Sequence, residues 1–309
     1  MQFLAIPFAL YVMVHICFNI PSISKNYFGE LYNLKKSLLS KHKEDKKIVI
    51  IGGSNGKFSY NSKQIQDSTG YKVVNAAIQG NCGLAFYIDF VRPYLKKEDI
   101  LILSPEYDLL LKENGLYGNY QYIQLAGYEN GFYKKLFSNL NSMAAFCKQS
   151  FFHFKALLEV VFVRIKFPKG AIDYVIKKQH NAYGDIDSLD NSITFNFKNY
   201  SIIIDTFFYT PTIPVLNDFA RYCKNNNIQF CINFPSAASQ NIIRKVSDKE
   251  LLDYISKTFP EIILLNTPSS SIYDKSWFYD SPYHLRGNSR IIHTTTLIDN
   301  LKNKAAIKN

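Results

Sequence analysis

The chain has 309 residues, 47% of them hydrophobic and 15% aromatic, which suits one sizeable packed core and excludes a disordered chain. Its formal net charge is +11, but the basic residues are mostly Lys and are scattered, with no basic stripe interleaved with stacking aromatics, which argues against nucleic-acid binding. Five cysteines (Cys17, Cys82, Cys147, Cys223 and Cys231) are odd in number, lack CxxC spacing and do not cluster with histidine, so neither a disulfide framework nor a zinc site is expected, and no cofactor or metal is implied.

Phe3 to Ile20 is a run of eighteen residues without Asp, Glu, Lys or Arg, just long enough to cross a bilayer, which takes ~20. It has neither a basic start nor a small-x-small cleavage site, so residues 1–24 read as an uncleaved single-pass membrane anchor rather than a signal peptide or a buried helix. Leu31, Leu34, Leu38 and Leu39 follow at helical spacing, and residues 25–46 read as a basic helical stalk that ends in a solvated charge run from Lys41 to Lys47. By the positive-inside rule this Lys-rich flank would hold the domain in the cytoplasm, a rule that weakens when a whole folded domain follows.

From residue 47 onward short apolar runs alternate with helical stretches. Strands are expected at Lys47–Ile51, Tyr71–Ala77, Asp99–Leu103, Ile228–Phe234 and Glu261–Leu265, and helices at Ala85–Leu95, 212–226, 239–258 and 288–303. This rhythm predicts an α/β fold, a flavodoxin-like three-layer α/β/α arrangement around a mostly parallel sheet. Residues of about 110–205 break the rhythm: a long aromatic helical stretch around 132–167, a polar loop from Asn181 to Asn191 and a β-like run from Ile193 to Ile204 read as a helical insertion. Within that loop, Asp185, Asp187 and Asp190 lack the glycine and closing glutamate of a calcium loop and read as solvated.

Two segments carry chemistry. Gly52-Gly53-Ser54-Asn55-Gly56 puts a serine in a glycine-rich turn directly after the first strand, at the carboxyl edge of the sheet, where sites of such folds lie. A serine there can act as a nucleophile with its own N–H helping to hold an oxyanion; a plain structural turn is the alternative, and GK[ST] and G-x-G-x-x-G patterns are missing. In Asp280-Ser281-Pro282-Tyr283-His284, just before the last helix, Asp280 could orient His284, and a serine nucleophile needs such an imidazole to take its proton. Alone, this segment reads rather as a turn capped by Asp280 with a packed loop histidine. His42, His153 and His180 read as surface or packed residues.

Taken together, these segments resemble the SGNH (GDSL-like) hydrolase and acyltransferase superfamily, in its membrane-anchored form that modifies bacterial surface polysaccharides. IVIIGGSN resembles the first block, NAAIQGNCG the second and DSPYHL the last, and the likeness spans roughly 47–108 and 228–303. It implies Ser54 as nucleophile, His284 as base, Asp280 as third member, and an oxyanion hole formed by the N–H groups of Ser54 and Gly80. Two departures stand out. Where the family carries Asn after the third strand, this chain reads Ser104-Pro105-Glu106-Tyr107-Asp108, leaving Asn81 or Tyr107 as replacement donors, or an incomplete hole, with Glu106 either taking part or repelling an oxyanion. The family's D-x-x-H is here stretched to four residues, with Ser281 in the usual aspartate place.

The resemblance implies a serine esterase or O-acyltransferase acting on acyl groups, acetyl foremost, of a bacterial cell-surface polysaccharide. Its implied partners are an acylated glycan or acyl donor, the membrane, and a protein of a polysaccharide assembly system, with the domain on the extracytoplasmic side despite the Lys-rich flank. The alternative is a protein of the same fold that has lost catalysis and serves in glycan assembly or binding. A flavin or nucleotide binder is a third reading, without a convincing acidic ribose ligand.

Overall fold

A computed structural model describes residues 27–118, 179–187, 197, 199–305 and 307. The expected anchor at 1–24, the helical stretch around 132–167, His153 and Asp190 lie outside the described residues. The chain divides into two compact units, one of residues 1–33 and 119–178, the other of residues 34–118 and 179–309. Of the first, only 27–33 are described; the second carries the sheet and every candidate site residue. Among the described residues no helix is long and apolar enough to cross a membrane.

In chain order the elements are helix α1 (Tyr27–Lys41), strand β1 (Lys47–Gly52), short helix α2 (Ser54–Ser59), helix α3 (Ser62–Thr69), strand β2 (Lys72–Asn75), a single turn at Gly80–Cys82, helix α4 (Leu84–Val91), strand β3 (Ile100–Ser104), helices α5 (Tyr107–Leu111) and α6 (Glu113–Tyr117), strand β4 (Ile202–Ile204), helix α7 (Thr212–Asn225), strands β5 (Gln229–Ile232), β6 (Ala237–Ala238) and β7 (Ile242–Arg244), helix α8 (Asp248–Thr258), strands β8 (Ile263–Leu264) and β9 (Ile272–Tyr273), and helix α9 (Gly287–Lys304). Five strands form the central sheet in the order β2-β1-β3-β5-β8, and every pairing in it is parallel. The fold is therefore α/β with a parallel central sheet.

The strand sequences explain this. Ile48, Val49, Ile50 and Ile51 are all at most 1% exposed, as are Ile100 to Leu103. Strands buried on both faces must be apolar at every position, not at alternate ones. On one face Ile48, Ile50, Ile100, Ile102 and Cys231 form a single cluster with Ile65 of α3 and Leu297, Ile298 and Leu301 of α9. Truncating one of these aliphatics to Ala would cost about 2–5 kcal/mol.

Four expectations need correction. The stretch read as a stalk holds helix α1, but Lys35 on it is fully buried, donating to the carbonyls of Asn75, at 2.7 Å, and of Gly184. The charge run read as solvated ends in Lys47, which is also fully buried and pairs with Asp99 at 2.6 Å. Asp185, read as part of a solvated loop, is buried and accepts from Ser62 N at 2.8 Å, Ser62 Oγ at 2.6 Å and Asn75 Nδ2 at 2.8 Å. The helix expected over 239–258 starts only at Asp248, where Ser247 and Glu250 form a reciprocal capping box, and the residues before it form a single turn at Ser239–Asn241 and then β7. Strand β4, the described end of the expected 193–204 run, pairs with β7 outside the central sheet.

Burial pushes the Lys35 amine down to about 7, against the attraction of Asp185. The unfolded chain keeps this proton up to about 10.5, so above pH 7 the unfolded state binds more protons and stability contributed at this site rises with pH. In urea titrations between pH 6 and 9, the stability difference between wild type and Lys35→Met should move in favour of wild type as pH rises above 7. Lys57, lowered in the same sense, titrates in both proteins, and its repulsion of Lys35 acts in wild type alone and in the same direction. Parallel pH curves would contradict the assignment.

Candidate active site

The parallel register of β1 against β3 sets Gly52 opposite Ser104. Two residues further along each strand stand Ser54 and Glu106, so equal offsets from paired residues deliver both side chains to the same point beyond the sheet's carboxyl edge. The approach is close enough that a Cβ on Gly52, whose φ is +143°, would strike the Ser104 carbonyl. Only glycine accepts that conformation and that contact. Below the site, Asn55 Nδ2 donates to Ser104 Oγ at 2.9 Å, and Tyr60 Oη lies 2.8 Å from the same hydroxyl and accepts from Asn233 Nδ2 at 2.8 Å. This buried polar chain locks the loops after β1, β3 and β5 together.

The opposite wall is the loop before α9. Ser59 Oγ and Ser236 Oγ reach the Tyr283 carbonyl at 3.1 and 3.0 Å, and Phe278 and Leu285 bridge each other within a small buried cluster that includes Ala238. His284 is thereby held over α2, its ring stacked on Phe58 with centroids 3.9 Å apart and planes within 6°. His284 Nε2 is 2.7 Å from Ser54 Oγ, and His284 Nδ1 is 2.6 Å from Asp280 Oδ1. The four-residue spacing fits because the segment closes on itself: His284 N donates to Ser281 O at 3.1 Å and Tyr279 N donates to His284 O at 2.8 Å. Ser281 accepts from Tyr283 N at 3.3 Å. Burial opposes ionisation of Asp280, but its hydrogen bond and attraction to His284, aided by Lys57, hold the carboxyl below its ordinary value. An ionised Asp280 fixes the imidazole with Nδ1 protonated and leaves Nε2 facing the serine.

Glu106 is the feature that the sequence motifs left undecided. Its Oε1 lies 3.1 Å from Ser54 Oγ and accepts from Asn55 N at 3.2 Å. A Cβ on Gly53 would collide with its Oε1, and a Cβ on Gly80 with its Oε2. The carboxyl thus lies in a slot between the two loops expected to supply oxyanion donors, and the slot exists because both loops carry glycine there. Lys57 of α2 is buried and pushed down to about 8 by desolvation, which Cys82, Asp280 and Glu106 oppose.

Of the other candidates, Gly80 lies at this slot. Asn81 is exposed on the same turn and makes no hydrogen bond to Ser54, His284 or Glu106. Tyr107 is buried and stacked on Phe234 with centroids 6.1 Å apart, and its hydroxyl has no hydrogen-bond partner; it is not brought to Ser54. Sequence reasoning missed Phe58 and Asn55. Asn55 follows the nucleophile candidate directly, whereas nothing in the sequence marks Phe58. Among the described residues no group of three or more His, Cys, Asp or Glu could hold a metal ion. Compared with known proteins, the chain matches no family model, no curated protein and no solved structure.

Because Gly80 and Glu106 share one space, their substitutions should couple. Gly80→Ala alone should push the Glu106 carboxyl, the end of a flexible side chain, out of the slot at a cost of about 1 kcal/mol. In the double variant with Glu106→Ala the cost should be smaller than the sum, an interaction of about 0.5 kcal/mol or more in denaturant titrations. Simple additivity would mean that the carboxyl does not occupy the slot.

Proposed function

We propose that this chain is a serine esterase or O-acyltransferase of the SGNH type, acting on acetyl or similar acyl groups of a bacterial cell-surface polysaccharide. The observation that carries the reading is the row Ser54–His284–Asp280. Its serine and histidine are 230 residues apart in sequence yet meet at 2.7 Å, at the sheet edge where such sites lie. The order and spacing of the blocks support the family, and the parallel sheet with strands buried on both faces supports a three-layer, flavodoxin-like arrangement. In this reading residues 1–24 anchor the chain in the membrane, and the domain faces the surface glycan on the extracytoplasmic side, together with partners of a polysaccharide assembly system.

Ser54 Oγ attacks the ester carbonyl while His284 Nε2 takes its proton, and Asp280 stabilises the imidazolium that forms. The backbone N–H groups of Ser54 and Gly80 receive the oxyanion. Collapse expels the alkoxide, which takes the proton from His284, and leaves an acyl-Ser54. Water or a sugar hydroxyl, deprotonated by His284, then takes the acyl group, and the departing Ser54 Oγ receives that proton from His284.

One observation favours a second reading. A carboxylate against Ser54 Oγ is unfavourable for an oxyanion, which suits a protein that kept the fold and binds glycan without turning it over. Acetate release from an O-acetylated polysaccharide and from p-nitrophenyl acetate separates the two. The enzyme reading expects turnover by the full chain that falls ~10³-fold or more in Ser54→Ala and His284→Ala and ~10²–10⁴-fold in Asp280→Asn. Folded protein with no turnover and no acyl-Ser54 by mass spectrometry would leave the non-catalytic reading standing.

A further inference from the structure

Three hydrogen-bond contacts run through the site in series, two short and one long: Asp280 Oδ1 to His284 Nδ1 at 2.6 Å, His284 Nε2 to Ser54 Oγ at 2.7 Å, and Ser54 Oγ to Glu106 Oε1 at 3.1 Å. Each needs one proton between its heavy atoms. A neutral imidazole and a serine hydroxyl supply only two. With both carboxyls ionised and His284 neutral, one contact would set acceptor against acceptor. The row is therefore complete only with one further proton. Asp280 is not its holder, since its carboxyl is kept below the ordinary value by His284 despite partial burial.

Two arrangements with the same proton count remain. In one, His284 is imidazolium, donates to Ser54 Oγ, and Ser54 donates to an ionised Glu106. In the other, Glu106 is a carboxylic acid that donates to Ser54 Oγ, and Ser54 donates to neutral His284. They interconvert by shifting two protons along the row. Only the second leaves His284 able to accept the serine proton during attack. It also turns Glu106 from a repelling charge into a donor, standing where the family's pattern has a carboxamide. The glycine slot formed by Gly53 and Gly80 fixes the carboxyl between the loops whose N–H groups are expected to meet the same oxygen.

We propose that Glu106 is a fourth catalytic residue, which carries a proton as Ser54 attacks and donates it in a hydrogen bond to the carbonyl oxygen of the substrate. This rests on the serine reading above. As the Oγ–C bond forms, the C=O electron pair moves onto oxygen, the serine proton passes to His284 Nε2, and the Glu106 O–H bonds the new oxyanion. On collapse the C=O bond re-forms, the leaving oxygen takes the proton from His284, and Glu106 keeps its own. A protonated carboxyl held at a developing oxyanion is established enzyme chemistry, and it removes the like-charge conflict that an ionised Glu106 would create.

The test treats the full chain with a fluorophosphonate, following the rate of Ser54 modification by peptide mass spectrometry and folding by thermal denaturation. Glu106→Gln keeps an N–H donor of the same shape and should react on the order of tenfold more slowly than wild type. Glu106→Ala should lose on the order of 100-fold or more, the effect of deleting an oxyanion donor. Glu106→Asp, which withdraws the carboxyl, should lose a comparable amount and serves if the alanine variant does not fold. Infrared difference spectra of the phosphonylated protein should show a protonated-carboxyl band in wild type that is missing from Glu106→Gln. A faster reaction in Glu106→Ala, a glutamine variant as slow as the alanine one, or no such band would overturn the role of Glu106 while leaving the nucleophile intact. No modification of Ser54 in folded wild type would remove the serine reading and this role with it.

Discussion

The pairing of Gly52 with Ser104 is the constraint from which the site follows. β1 and β3 are adjacent parallel strands buried on both faces, and a one-residue slip would exchange the particular side chains packed on each face, Ile48 and Ile50 against Val49 and Ile51, in a close-packed core. The core therefore fixes the register, and the register fixes which residues emerge side by side at the carboxyl edge. Ser54 and Glu106 are neighbours for the same reason that Ile50 and Ile102 are. The glycine at the end of β1 is part of the same constraint, since the backbones approach there too closely for any side chain.

The second wall of the site depends on a different kind of interaction. His284 sits in a loop that spans no regular element, yet it is positioned by carbonyl contacts from Ser59 and Ser236, a tight internal turn and stacking on Phe58. Phe58 and Ser59 both belong to α2, which begins with Ser54 itself, so the helix that presents the serine also anchors the histidine. That coupling keeps a contact between residues far apart in sequence at hydrogen-bond distance.

The alternation of apolar runs made the parallel sheet legible, and all five strands of the central sheet fall within the expected runs or a residue beyond them. The serine and histidine were legible from residue type and order, because a glycine-rich turn after a strand and an Asp-His loop before the last helix each have few uses. What stayed hidden is mostly long-range. Lys35 read as part of a stalk and Asp185 as solvated because their partners, two backbone carbonyls in one case and Ser62 and Asn75 in the other, are brought in by tertiary folding alone. Phe58 had no signal, since any apolar residue at that position suits a buried helix. For Glu106 the sequence signalled that something differed from the family pattern. Its contact with Ser54, and the slot made by two glycines on separate loops, needed coordinates.

Glu106 also links the chemistry to the fold. A carboxyl beside a serine that is to act as a nucleophile would ordinarily be a defect, and a pair of glycines that makes room for it argues that the group is accommodated by construction. With its proton on, the row from Asp280 to Glu106 has a donor for every acceptor and a base ready for Ser54. The most direct measurement of the account is a crystal structure of the protein after reaction with a fluorophosphonate. The account predicts phosphorus bonded to Ser54 Oγ, with a phosphonyl oxygen within hydrogen-bond distance of Ser54 N, Gly80 N and the Glu106 carboxyl, and His284 still bonded to Asp280. An unmodified Ser54, or an adduct whose oxygen points away from Gly80 and Glu106, would contradict it.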